Sequence, residues 1–556
     1  MSDKPNLIRF PDPPHPEAVE WAGSPLGLSN TITRTKSRTA IHDKSIDLKE
    51  GLFERLLEGV ENYIRDPNQR RQIYEHDVVI HGIKVRAMTN SHHLYDFWVD
   101  NWYSVGEWKG ITGREVVGEP RVWVYAFGGV KNEKEAAYYS RKKNTIIFFN
   151  TSYYGQLKSW VLGAVGRILA DDFGIHSIHG ACVTRGGKGI LYIAPTGTGK
   201  STASYGLMTF EDARFHSDDW VYVRYTFKEK DGRRISPVKI IDDGREVKGY
   251  RVYRWLEANE DKRWATVVGR DLGDREVLLT VGDLDLSAPI EAYAFTSEKI
   301  FYLRTNLVEN FPETTFQMLS SKLENVPDLT PEFIEEKGQI LDGLLNALKA
   351  HPAFGATFKG EGDEEVKVKL GRLFSFDNAR AMLDITKVFE PRLVFTNPME
   401  PARLSAVMLI KRDFDGDVVA ESLPLNKFMT RLLIGETPMR TREIAYNAYR
   451  AVDDKVEAAY VKGLEEELKG RVNPRLYDLF ASRDDVPETL EEEFELFRIM
   501  HKAAKCYDLN TILEKDPKVK ERPKAVALTM RLIDRVLREE PTDLSLNLKN
   551  YAEFAR

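Results

Sequence analysis

Apolar residues at Leu157, Trp160, Val161, Ala164, Val165, Ile168 and Leu169 recur at helical spacing, and the run closes at Asp171, Asp172 and Gly174. This predicts a helix that buries one face. Around it the pattern changes to short unbroken apolar runs, which read as buried strands at 144–150 (NTIIFFN), 178–183, 190–194 and 403–411 (RLSAVMLIK). The tetrapeptide Arg185-Gly186-Gly187-Lys188 folds 178–183 back on 190–194 as a hairpin. A short strand is expected at 213–216, and 220–225 (WVYVRY) alternates as another. Residues 76–88 and 120–127 are β-rich, 52–63 are helical, 234–298 have β character with charged turns, and 312–348 are mainly helical. Beyond about 438 the chain reads as helical and charged. Val526, Met530, Ile533 and Leu537 mark one amphipathic helix there, and Glu491, Glu492 and Glu493 read as a solvated face. Pro5, Pro11, Pro13, Pro14 and Pro16 disfavour any regular element near the start. The expected divisions are a Pro-rich arm (1–45), an N-terminal α/β lobe (46–177), a catalytic lobe (178–440) and a helical C-terminal region (441–556).

Composition changes this picture little. The 556 residues are 42% hydrophobic and 30% charged, enough for a sizeable core in several domains. A formal net charge of −6 gives no global basic field for nucleic acid. Cys182 and Cys506 form neither a disulfide framework nor a Cys-based zinc site, which fits a reducing cytoplasm. No apolar signal segment and no run near ~18 apolar residues is visible, so neither export nor a membrane partner is expected. The aromatics Phe97, Trp98, Trp102, Tyr103 and Trp108 read as packing rather than as a base-stacking platform.

Candidate chemistry concentrates after the hairpin. Residues 190–202 (ILYIAPTGTGKST) form a strand, a small-residue loop and a helix start, the pattern of a phosphate-binding loop. Ala194, Pro195, Thr196, Gly197, Thr198 and Gly199 make the loop, whose glycines let successive N–H groups face an anion. Lys200 offers a cation to the β/γ-phosphates, Ser201 a hydroxyl to Mg²⁺, and Thr202 continues into a helix whose dipole favours negative charge. Asp218 and Asp219 follow the next strand. One can hold the metal while the other accepts a proton from an incoming hydroxyl. His179, on the hairpin strand, is a metal ligand, a proton relay or a hydrogen-bonded core histidine.

These residues in this order (Ile178-His179-Gly180-Ala181, Gly187-Lys188-Gly189-Ile190, the loop ending Gly199-Lys200-Ser201, and His216-Ser217-Asp218-Asp219-Trp220) resemble the nucleotide-binding core of phosphoenolpyruvate carboxykinases, which HPr kinase/phosphorylases share. Weaker likenesses lie at 154–158, at Asn378-Ala379-Arg380 and at 432–437. The resemblance implies a mixed α/β, two-lobed carboxykinase-like fold with a P-loop lobe and a helical C-terminal extension. It implies Lys200 on the β/γ-phosphates, with Ser201 and Asp219 as metal ligands and Asp218 as base or metal-shell group. It further implies His179 as ligand of a second metal and Arg380 as the charge stabilising the transferred phosphoryl group. The sequence departs from the carboxykinases where Ser159 follows Lys158 in place of a second, metal-binding lysine. The expected activity is therefore a kinase using ATP (or GTP) and Mg²⁺ (or Mn²⁺), with a small-molecule hydroxyl as acceptor and the C-terminal helices available for self-association. The alternatives are decarboxylation of oxaloacetate to phosphoenolpyruvate, and a non-catalytic nucleotide-binding regulator.

Overall fold

The buried strands and the long helix read from the apolar pattern are present in the computed structural model, and they build a mixed α/β protein. It describes residues 46–556 apart from 48, 68–72, 135, 151–153, 195–197, 305–330, 337, 353, 376–377, 384, 388, 435–453, 471–472 and 520. Before residue 46 it describes the strands Ile8–Arg9, Ala18–Ala22 and Leu28–Thr35. No helix among the described residues is long and apolar enough to cross a membrane.

The chain forms two compact units, Met1–Val161 with Glu298–Glu390, and Leu162–Ser297 with Pro391–Arg556. Both are discontinuous, so they cut across the sequence divisions expected near 177 and 440. The first unit holds a six-stranded sheet in the order Tyr103–Ser104, Tyr74–Ile80, Ile83–Thr89, Val122–Phe127, Thr145–Phe149, Ala136–Ser140. Helix Leu52–Arg65 covers part of it, packing Leu56 and Val60 against Phe127, Ile147 and Phe149. Phe97, Trp98, Trp102, Tyr103 and Trp108 are all buried, as packing residues should be.

The expectation of an arm without regular elements fails. Leu28–Thr35 (LSNTITRT) pairs with Ala18–Ala22 and with Asn378–Leu383 in a five-stranded sheet of the first unit. The prolines lie at 5, 11, 13, 14, 16 and 25, whereas this strand is proline-free and rich in β-branched residues.

The second unit is built on one large sheet. Its elements around the site are β1 (His176–Arg185), β2 (Lys188–Ile193), α1 (Lys200–Leu207), β3 (Ala213–Ser217), β4 (Trp220–Glu229), β5 (Ala402–Lys411), β6 (Val418–Ser422), α2 (Glu488–Ala503), β7 (Lys505–Asn510), α3 (Arg522–Glu539) and β8 (Ser545–Asn547). The central order is β4-β1-β2-β5-β7-β6-β8. β1 and β2 form the expected antiparallel hairpin, and β2, β5 and β7 run parallel. Their burial on both faces explains why 190–194 and 403–411 read as unbroken apolar runs.

Two further expectations change here. The C-terminal stretch is not purely helical, because β7 enters the sheet between β5 and β6 and β8 extends it. Glu492 and Glu493 are not a solvated face. They are 0% and 1% exposed, because the buried guanidinium of Arg167 reaches both, Nη1 to Glu492 at 2.9 Å and Nη2 to Glu493 at 2.7 Å. The region 234–298 also contains a helix, Arg251–Ala258, whose Val252, Tyr253 and Leu256 are buried.

Candidate phosphate-binding site

The parallel strands bring their C-terminal ends together at the edge where open α/β sheets hold ligands. Ala194 follows β2 there, Lys411 closes β5 and Asn510 closes β7. The loop after β2 turns directly into α1. Gly199 stands at φ +112°, a left-handed conformation that a side chain would strain. Pro195, Thr196 and Gly197 lie outside the described residues.

The strand register explains the position of the aspartates. β1 pairs with β4 through His176–His179 and with β3 through Cys182–Arg185. The two residues between β3 and β4 therefore stand opposite the middle of β1, where the Gly180 N–H donates to the Asp219 carbonyl at 3.0 Å. A side chain at Gly180 would meet the Tyr192 carbonyl at 2.8 Å, so only glycine lets the hairpin strands approach this closely.

Asp218 is buried. Its Oδ2 accepts from the Ser201 hydroxyl at 3.2 Å, and its Oδ1 from Ser204 at 3.0 Å. Burial raises its pKa above the ordinary carboxylate value, against the pull of the Lys200 charge, and the neighbouring Asp219 charge adds to the rise. Asp219 is the more open of the pair, with a side chain 27% exposed. Its Oδ1 lies 3.1 Å from Lys200 Nζ and 3.1 Å from His179 Nε2. Lys200 Nζ also reaches the Asp219 carbonyl at 3.4 Å. The His179 ring lies against Trp220, whose indole N–H donates to Ser177 at 2.7 Å. Lys200, Ser201, Asp218, Asp219 and His179 thus form one cluster. Ser204, absent from the sequence expectations, belongs to it. Its signal was its place three residues after Ser201 on the same helical face.

The oxygen set suits a hard divalent cation. Mg²⁺ takes one or two carboxylates, a hydroxyl and waters rather than a protein cage. Among the described residues, no three His, Cys, Asp or Glu side chains converge as such a cage.

Other expected residues lie elsewhere. Arg380 is on the strand Asn378–Leu383 of the first unit, and its side chain is outside the described set, as are Gly435, Glu436 and Thr437. Lys158 is buried in the first unit with its ammonium 2.8 Å from Glu298, and Ser159 donates to the Gly155 carbonyl of its own helix at 2.8 Å.

No protein-family model matches this chain, and no curated protein matches it.

Proposed function

We propose that the chain is an ATP-dependent phosphotransferase with a carboxykinase-like phosphate site, acting on a small-molecule hydroxyl. One observation carries the reading: the P-loop hydroxyl and the P-loop ammonium engage different members of the aspartate pair. Ser201 bonds Asp218, while Lys200 and His179 bond Asp219. This favours exchanging the roles that the resemblance implies for the two carboxylates.

Asp218 and Ser201 would hold Mg²⁺, which supplies charge neutralisation on the β/γ-phosphates when bound. Lys200 binds the same phosphates. Its present partner, the Asp219 carboxylate, is an anion at the distance a phosphate oxygen would take, so nucleotide and Asp219 compete for one ammonium. As Lys200 turns to the phosphate, Asp219 Oδ1 is left to accept the proton of the incoming hydroxyl. His179 orients that carboxylate through its Nε2 contact. The N–H groups of the loop and the start of α1 add fixed positive potential. Decarboxylation is not part of this reading, since Lys158, in the segment resembling the metal-binding lysines, spends its charge on Glu298.

The test is a metabolite-pool phosphorylation screen with labelled ATP, followed by kinetics on variants. Lys200→Ala should abolish transfer while the protein stays folded. Asp219→Asn should lower kcat by about 10²–10⁴-fold with MgATP affinity retained. Asp218→Asn should instead weaken Mg²⁺-dependent nucleotide binding. Full activity in Lys200→Ala overturns the phosphotransferase assignment, and the opposite pattern for the two aspartates restores Asp219 as the metal ligand.

A further inference from the structure

The phosphate loop has a partner that arrives from 313 positions away in the chain. Thr511 follows β7 directly, and the parallel register of β2, β5 and β7 brings it beside the loop. Its Oγ1 stands 3.3 Å from the Thr198 carbonyl oxygen and 3.2 Å from the Lys411 carbonyl oxygen, and it donates its proton across both. Its own N–H donates to the same Lys411 carbonyl at 3.0 Å, which fixes the residue to β5 independently of the hydroxyl. A Cβ added at Gly199 would lie 3.8 Å from the Thr511 methyl group, so the side chain covers this part of the loop.

A trans peptide is planar, with its C=O and N–H pointing in opposite directions. The carbonyl of Thr198 and the N–H of Gly199 belong to one peptide. Holding that carbonyl toward Thr511 therefore aims the Gly199 N–H the other way. In a phosphate loop an N–H is useful only if it faces the anion, and a Gly-rich segment left to itself can rotate the peptide. The rest of the C-terminal stretch supports the same place. α3 packs on α1 so closely that a side chain at Gly206 would meet Met530 Sδ at 2.6 Å. Arg185 and Lys188, at the tip of the β1–β2 hairpin, bind Asp534 at 2.6 Å and Glu540 at 2.7 Å.

We infer that Thr511 is a positioning residue of the phosphate loop. Its hydroxyl fixes the Thr198–Gly199 peptide so that the Gly199 N–H is preset for phosphate. This rests on the phosphate-site reading above, and it makes the C-terminal stretch a working part of the site.

The experiment uses the full-length chain and titrates MgATP into the parent, Thr511→Val, Thr511→Ser and Lys200→Ala, with the melting temperature of each recorded. Thr511→Val keeps the shape and removes the donor. It should weaken MgATP binding about 3- to 10-fold, the range for one lost hydrogen bond, and Thr511→Ser should restore binding to within about 2-fold. If Thr511→Val does not fold, Thr511→Ala is compared with Thr511→Ser in its place. A lower melting temperature with unchanged MgATP affinity marks a merely structural threonine and overturns the inference. So does equal weakening by valine and serine. Parent protein that binds MgATP only through Lys200 while Thr511→Val binds equally well overturns the Thr511 role and leaves the site standing. Parent protein that does not bind MgATP overturns both.

Discussion

The second unit contains two clusters with nearly the same inventory, a cation, two adjacent carboxylates and a histidine, and they are built to opposite ends. In one, Arg167 meets Glu492 and Glu493, and Glu493 also meets His176 Nε2 at 3.1 Å, whose Nδ1 meets the Tyr225 hydroxyl at 2.8 Å. In the other, Lys200 and His179 meet Asp219, while Asp218 takes two serine hydroxyls. The arginine fork gives each glutamate its own N–H, and all four charged or titratable side chains there are at most 5% exposed. The lysine is a single point charge serving one aspartate, the other aspartate is pushed toward neutrality, and Asp219 opens to solvent. The first arrangement fixes α2 and β1 together. The second leaves charge that a ligand can still use. Residue types alone do not separate these two arrangements. The geometry of the cation and the exposure of the carboxylates do.

The largest expected effect breaks the first cluster. Arg167→Met leaves two buried carboxylates without their guanidinium and should cost about 3–5 kcal/mol of stability. Lys200→Met removes the cation of the second cluster, where the bereft Asp219 can reach water, and should cost less than Arg167→Met. Urea unfolding of both variants checks this. Equal losses would show that the two clusters are energetically alike and that the comparison fails.

A smaller effect concerns His216, buried beside the second cluster with Nδ1 3.0 Å from Ser217 Oγ and its ring edge-on to Phe395. Burial pushes its pKa down to about 3, the Ala294 backbone contact works against that fall, and the Arg214 charge adds to it. The folded state thus keeps His216 neutral while the unfolded chain takes up a proton from pH 6.5 downward. The stability it contributes is present above that value and is lost as pH falls toward 3, at a limiting slope of about 1.4 kcal/mol per pH unit. Urea unfolding of His216→Gln between pH 7 and pH 5 should show a flatter pH dependence than the parent. Parallel curves would remove His216 from the acid response.

The two clusters also differ in how legible they are in the sequence. The candidate phosphate site lies within a 41-residue span from His179 to Asp219, so local pattern alone is enough to group its members. The buried strands are legible for the same reason: apolar runs bounded by turn residues need no distant partner to be recognised. The Arg167 network is illegible, because Glu492 and Glu493 look like any acidic helix face until a guanidinium 325 positions away is placed beside them. Thr511 is hidden in the same way, since nothing around Asn510-Thr511-Ile512 marks a loop partner. β7 escapes because helical, charged surroundings mask a short strand. The N-terminal strands escape because nearby prolines disfavour regular structure only at their own positions, not in the proline-free stretches between and after them. Long-range pairing is the information that local pattern lacks.

The smallest expected effect sharpens the comparison most. Asp218 has its pKa raised by burial, so the fold favours its neutral form. From the unperturbed value of 3.8 up through the raised value, the folded state binds more protons than the unfolded state at this residue. Stability therefore falls as pH rises through that window, so the carboxyl at Asp218 is a cost to the fold above it. Asp218→Asn mimics the neutral form and keeps an oxygen that can accept from Ser201 or Ser204. It should be more stable than the parent at pH 7, with the gain shrinking as pH falls toward 3.8. It should at the same time lose Mg²⁺-dependent nucleotide binding. Stability gained with function lost marks a group held ionised for chemistry rather than for folding. Glu493→Gln supplies the contrast. Both oxygens of Glu493 face donors, Arg167 Nη2 at 2.7 Å and His176 Nε2 at 3.1 Å. An amide there removes the negative charge paired with the buried Arg167 guanidinium, and the variant should be less stable at every pH. Unfolding curves of the two variants at pH 7 and pH 4.5 decide the matter. Should Asp218→Asn be destabilised as Glu493→Gln is, both carboxylates belong to the scaffold, and the strained charge at the phosphate site disappears as a sign of function.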